Sequence, residues 1–100
     1  MKNFRTYQKS VSFYHLTTSL RLPSPLKDQL HRAASSIVLN LAEGSGRSTM
    51  ADQKRFYHIA FGSLRECQAV LDLAQTSSST IREAADSLAA SLYCLIKSRG

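Results

Sequence analysis

Apolar residues recur at helical spacing through most of this chain. From Leu26 they fall at Leu30, Ala33, Ala34, Ile37, Val38 and Leu41, steps of three, four and one that trace a single helical face. A second face runs through Phe56, Ile59, Ala60, Ser63, Leu64, Cys67, Val70, Leu71 and Ala74, and a third through Ile81, Ala85, Leu88, Leu92, Leu95 and Ile96. The first segment carries two stripes: Phe4, Tyr7, Val11 and Tyr14 lie roughly opposite Phe13, Leu16 and Leu20 at about 100° per residue. No segment alternates with period two, so the class is all-α. Four helices are predicted, over about residues 2–20, 25–43, 50–75 and 81–97.

The punctuation fits those bounds. Ser24 suits an N-cap, Pro25 a first helical position, and Gly44 the residue past a helix end. Thr49 with Asp52, and Thr80 with Glu83, resemble capping boxes. The links between patterns are short, which predicts an antiparallel up-down four-helix bundle, one domain over residues 1–100. A first helix apolar on two sides calls for cover on two sides, which a second subunit would supply.

Composition narrows the partners. The formal charge of +6 and pI near 9.8 favour an anionic partner such as nucleic acid. That charge is uneven: residues 1–66 hold ten Lys/Arg against four Asp/Glu, while residues 67–100 hold three of each. A phosphate-binding surface therefore belongs to the first two-thirds of the chain. The start has no apolar run of signal-peptide length, and charge-free stretches such as AASSIVLNLA fall short of the ~20 residues that span a bilayer. Cys67 and Cys94 form no CxxC, so a reduced cytoplasmic protein is expected.

Candidate binding residues follow from the cations. On the third helix Lys54, His58, Phe61 and Arg65 form an outward stripe bordered by Tyr57, and rings among cations can stack on unpaired bases or cover a subunit interface. Arg5 and Lys9 stand one turn apart on the first helix, Lys27 and Arg32 on the second, and Arg47 in the turn that follows. Mid-helix Gly62 suggests a close helix crossing, across which Arg55 and Glu66 could pair. No metal-ligand spacing links His15, His31, His58 and the cysteines, and no cofactor motif is present.

The stretch NLAEGSGR sets Asn40, Glu43 and Arg47 around Gly44 and Gly46. Read as a structural turn, Glu43 accepts from Arg47 or from free N–H groups at the next helix start, Asn40 ties across to a neighbouring helix, and the glycines supply backbone angles other residues resist. Read as a catalytic site, Glu43 is a general base and Arg47 an anion holder, yet no nucleophile, second carboxylate or metal cluster accompanies them. The turn reading is preferred, and no catalytic residue is assigned.

QLHRAASSIVLNLAEGSGR followed by DQKRFYHIAFGSLRECQAVLDLA closely resembles the four-helix-bundle proteins encoded within 23S rRNA intervening sequences. Their usual pattern is QLRRAA-x-SI-x-x-N-[IL]-AEG-x-GR, then x-RF-x-x-IA-x-GSL-x-E. TYQKS is similar to that family's WQKA, with Tyr7 and Ser10 replacing Trp and Ala. Val38 departs from a position where proline is frequent, and the first interhelical link is shorter than usual. The resemblance implies a left-handed four-helix bundle assembling into a ring, often a pentamer. It extends to the accessory proteins of diversity-generating retroelements, which bind nucleic acid and a reverse transcriptase. No established catalytic activity comes with it. The expected function is non-catalytic, oligomeric binding of nucleic acid through basic faces of helices 1–3, RNA slightly favoured. The alternative is an adaptor ring docking an enzyme such as a reverse transcriptase.

Overall fold

A computed structural model describes residues 4–99 and contains four helices among them: α1 (Phe4–Ser19), α2 (Ser24–Ser45), α3 (Met50–Leu73) and α4 (Ser79–Lys97). The described residues contain no strand. The expected start of the first helix, about residue 2, lies outside the described residues. α1 packs on α2 and α4, and α3 on the same two, while neither diagonal pair brings Cα atoms within 8 Å of each other among the described residues. The result is a four-helix bundle whose core collects Phe13 from α1, Leu30, Ala34, Ile37 and Leu41 from α2, Tyr57, Ala60, Leu64, Cys67 and Leu71 from α3, and Ile81, Ala85, Leu88 and Leu92 from α4.

α1 buries a face that hydropathy does not mark. Thr6, Ser10, Phe13 and Thr17 are buried; Phe13 comes from the second apolar stripe, whereas Tyr7, Val11, Tyr14, Leu16 and Leu20 are only partly buried and Phe4 is exposed. Each buried hydroxyl finds a partner. Ser10 Oγ donates to the Tyr7 carbonyl and Thr17 Oγ1 to the Tyr14 carbonyl, both at 2.6 Å, while Thr6 Oγ1 lies 2.7 Å from Ser91 Oγ on α4. Bonding back to the preceding turn removes the penalty of burying these groups and leaves their small bodies free to pack.

α3 is rotated from its expected setting. Tyr57 is fully buried, whereas Ile59 is 44% exposed and Phe56 only partly covered. The inward line is Tyr57, Ala60, Leu64, Cys67 and Leu71, steps of three and four that a large ring joins because α2 leaves space for it. That space is Gly44. A Cβ there would stand 2.7 Å from Tyr57 Cε1 and 3.0 Å from Phe56 Cβ.

The helix ends correct several expectations. α2 continues through Ser45, so Gly44 is a buried helical residue and not a terminator, and Gly46 sits at φ −89°, where any residue is comfortable. Neither glycine supplies an unusual backbone angle. Pro23, not Ser24, occupies the N-cap of α2, and Ser78 that of α4, where no Thr80–Glu83 box forms. Thr49 behaves as expected, its Oγ1 accepting from the Asp52 N–H at 3.1 Å. α3 ends in a Schellman turn: Thr76 N–H donates to the Leu71 carbonyl and Gln75 N–H to that of Asp72, with Gln75 at φ 54°.

Candidate nucleic-acid interface

At the α2–α3 turn, Arg47 Nη2 stands 3.6 Å from Glu43 Oε2, one helical turn apart, and its guanidinium lies 4.7 Å from the centre of the Phe56 ring. Arg55 covers the same ring at 4.5 Å. One aromatic side chain thus holds two guanidinium groups at the mouth of the hairpin. Gln53 Nε2 donates to the Arg47 carbonyl at 3.3 Å, tying the turn to the first turn of α3.

Asn40 does not reach across, as the sequence suggested. Its Nδ2 donates to the Ser36 carbonyl at 2.9 Å and to Ser36 Oγ at 3.1 Å, both on its own helix. Ser36 makes the crossing, its Oγ lying 2.8 Å from Ser63 Oγ on α3. Because Asn40 donates to that hydroxyl, the Ser36 proton is free to point at Ser63. The amide backs a hydroxyl bridge between helices and does not join the Glu43–Arg47 pair.

The cations fall into separate groups. Arg5 and Lys9 border a cleft of about 290 Å³ between α1 and α4, lined also by Gln8, Ser12, Phe13 and Ser87 and containing no carboxylate. Lys54, His58 and Arg65 lie along α3 with His58 and Arg65 exposed, and Arg65 stacks 4.8 Å from the centre of the Phe61 ring while donating to Gln68 at 2.9 Å. Gln68 in turn reaches Asp86 on α4, so this stripe leans toward α4. Lys27 and Arg32, five positions apart, stand about 140° around α2 from each other and share no face.

Two expectations fail here. Tyr57 cannot stack on a base or cover a subunit, because it is buried with no exposed surface; its ring faces Gly44, and Arg99 lies 6.0 Å from its centre. Gly62 marks no helix crossing within the chain, since a Cβ there would meet nothing within 4 Å. Arg55 accordingly pairs with Asp52 at 3.7 Å, and not with Glu66 across a seam.

Phe61 is partly buried against the core and keeps one side for Arg65. Sequence reasoning missed a shallow apolar cleft of about 150 Å³ between α1 and α2, lined by Val11, Tyr14, Ser35, Val38 and Leu39, with Leu39 65% exposed. The spacing of Val11 and Tyr14 carried its signal. Burial pushes the Cys67 thiol up from 9.0 to about 12, with the charge of Glu66 adding to the effect, so it is inert as a nucleophile; Cys94 is exposed. His31 Nε2 donates to the Thr17 carbonyl at 3.2 Å and closes the end of α1. Among the described residues, no three of His, Cys, Asp and Glu gather to hold a metal ion, and no helix is long and apolar enough to cross a membrane.

No curated protein matches this chain. The 23S rRNA-intervening sequence protein family matches it over residues 2–98. The matched span includes all four helices, the turn that Phe56 holds and the glycine against which Tyr57 packs, and the chain belongs to the 23S rRNA-intervening sequence protein family.

Proposed function

We propose that this chain is a non-catalytic, oligomeric, cytoplasmic nucleic-acid-binding protein that captures backbone phosphates through basic faces of α1, α2 and α3. The observation that carries the reading is uncompensated charge. Of Arg5, Lys9, Lys27, Arg32, Arg47, Lys54 and Arg65, only Arg47 has a carboxylate within ion-pair distance among the described residues. His58 and the Phe61–Arg65 pair add a hydrogen-bonding group and a stacking surface beside the α3 cations. RNA is favoured over DNA on the ribosomal setting that the family name carries. The free thiols Cys67 and Cys94 suit a reducing compartment.

The finer architecture belongs to this proposal. Short links and sequential helix neighbours, closed by the α1–α4 pairing, support an antiparallel up-down bundle, left-handed as in the resembling proteins. The apolar α1–α2 cleft supports assembly into a ring, for which five subunits is the family expectation. That cleft also favours a second reading, in which the assembled protein docks an enzyme such as a reverse transcriptase.

Salt separates the two. Nuclease-treated protein is titrated with labelled single- and double-stranded RNA and DNA across a salt series. Phosphate capture predicts a slope of several in log affinity against log salt, reduced in Lys54→Glu/Arg65→Glu and in Arg5→Glu/Lys9→Glu by about one for each phosphate no longer neutralised. No binding at low salt would overturn the nucleic-acid reading and leave the apolar cleft as the functional surface.

A further inference from the structure

Arg5, Gln8, Lys9 and Ser12 follow one another along α1 at steps of three, one and three, so they share one helical face. Across from them, α4 contributes Ala84 and Ser87 to the same cleft of about 290 Å³. The polar side chains of this cleft are idle. Among the described residues, Arg5, Gln8, Lys9, Ser12 and Ser87 make no side-chain hydrogen bond and no ion pair.

Elsewhere on α1 such groups are used. A helical serine or threonine can bond back to the preceding turn, as Ser10, Thr17, Thr18 and Ser19 do, and Thr6 reaches Ser91 on α4 at 2.7 Å. Ser12 alone among the α1 serines and threonines keeps its hydroxyl uncommitted, and it lines the cleft. Ser87 does the same from α4, one turn before the engaged Ser91. The α1–α4 seam is thus closed by a hydroxyl pair at Thr6 and Ser91 and open, with its donors free, at this cleft.

Two cations with no carboxylate in the lining match a doubly charged anion. A phosphomonoester carries a charge of about −1.5 to −2 at neutral pH and three strong acceptor oxygens. A guanidinium, an ammonium, an amide and two hydroxyls supply donors for all three. A backbone diester brings a single charge and fewer free oxygens, and a carboxylate likewise, so either leaves half of the site unanswered. No third cation lines the cleft to carry a strand onward, and its volume is near the lower end of ligand pockets, about 300 Å³. We propose that the α1–α4 cleft is a site for a terminal phosphomonoester, carried by the end of a nucleic-acid strand or by a free nucleotide. The inference rests on the phosphate-capture reading above and narrows what α1 holds within it: the terminal group is the preferred occupant and a backbone phosphate the weaker one.

The test titrates the full, nuclease-treated chain with single-stranded RNA of one sequence, bearing a terminal phosphate at one end, at the other, or at neither. A phosphate-ended strand is expected to bind about tenfold tighter than the hydroxyl-ended one. Arg5→Gln/Lys9→Gln and Ser12→Ala/Ser87→Ala are each expected to remove most of that preference, and since none of the four residues is buried, the circular dichroism spectrum should not change. Lys54→Gln/Arg65→Gln is expected to weaken all strands alike and keep the ratio. Adenosine monophosphate, with adenosine as the blank, separates the two sources. Competition by the nucleotide but not the nucleoside assigns the phosphomonoester wherever it is carried; an end preference without competition assigns the strand end. Equal affinities for all strands with no nucleotide binding overturn the proposal and leave the phosphate-capture reading standing. So does a preference that survives both cleft variants. If no strand binds, the nucleic-acid reading falls, and direct titration with adenosine monophosphate decides the cleft: binding lost in Arg5→Gln/Lys9→Gln upholds the site, and no binding overturns it.

Discussion

Gly44 shows how much one missing methyl group decides. Its neighbours Tyr57 and Phe56 occupy the space a side chain would need, so the ring of Tyr57 and the backbone of α2 share one van der Waals surface. Gly44→Ala is expected to destabilise the fold by about 1–3 kcal/mol through overpacking, read as a lower urea midpoint at unchanged slope. Cys67 makes a second residue-scale case. Its thiol stays protonated in the fold up to about pH 12 but ionises from about pH 9 once unfolded. The unfolded state therefore binds fewer protons in that window, and the stability this thiol contributes is full below pH 9 and lost as pH rises. The loss is about 1.4 kcal/mol per pH unit above pH 9. Chemical denaturation at pH 8 and pH 10 should show a steeper alkaline loss for the native chain than for Cys67→Ala. Equal losses would show that the thiol does not contribute.

At the scale of elements, the helices were legible because each carries apolar residues at steps of three and four, and the faces of α2 and α4 came out in the expected register. α1 and α3 did not. The α1 contact face is hydroxyl-bearing, and a pattern that counts Ser and Thr as polar passes over side chains whose polarity is consumed by their own preceding turn. In α3 the apolar pattern runs through Phe56 and Ile59, because those residues are large and apolar. Tyr57 won the inward position because its ring fits the space beside Gly44, on another helix. The α3–α4 link was equally hidden. Gln75 takes a left-handed backbone without being glycine, and Arg82 secures the turn from beyond it, donating to the Leu71 carbonyl at 3.0 Å, the Thr76 carbonyl at 3.2 Å and Asp72 at 2.9 Å. Arg82→Gln is expected to cost about 1–2 kcal/mol, discounted for the half-exposed guanidinium. Faster amide exchange confined to residues 74–79 would mark the loosened link, and an unchanged exchange map would contradict it.

For the whole molecule, charge and shape divide the surface. Arg5 and Lys9 line the α1–α4 cleft, Lys54 and Arg65 lie along α3, and Lys27 and Arg32 stand on two sides of α2. They do not merge into a single patch within one chain, so the salt slope and its reduction by the two double variants belong to this scale: they report how many of the groups a nucleic acid bridges. The outward face of α3 carries the exposed side chains of Ile59 and Leu73 together with both signs of charge, Arg55 and Glu66.

Helix number, helix limits to within a few residues, the excess of positive charge in the first two-thirds and the family itself all follow from local order along the chain. Spacing, breakers and charge are properties of near neighbours, and near neighbours are what a sequence records directly. Which side of α1 faces inward, why Gly44 is a glycine, and which aromatic of α3 is buried depend on atoms brought together from positions far apart. By sequence, Asn40 is expected to tie across to a neighbouring helix and Glu43 to accept from Arg47 or from free N–H groups at the next helix start. The fold sends one to Ser36 and the other to Arg47, since a helix turns its residues about 100° apart and only the neighbouring helix determines which of those directions is inside.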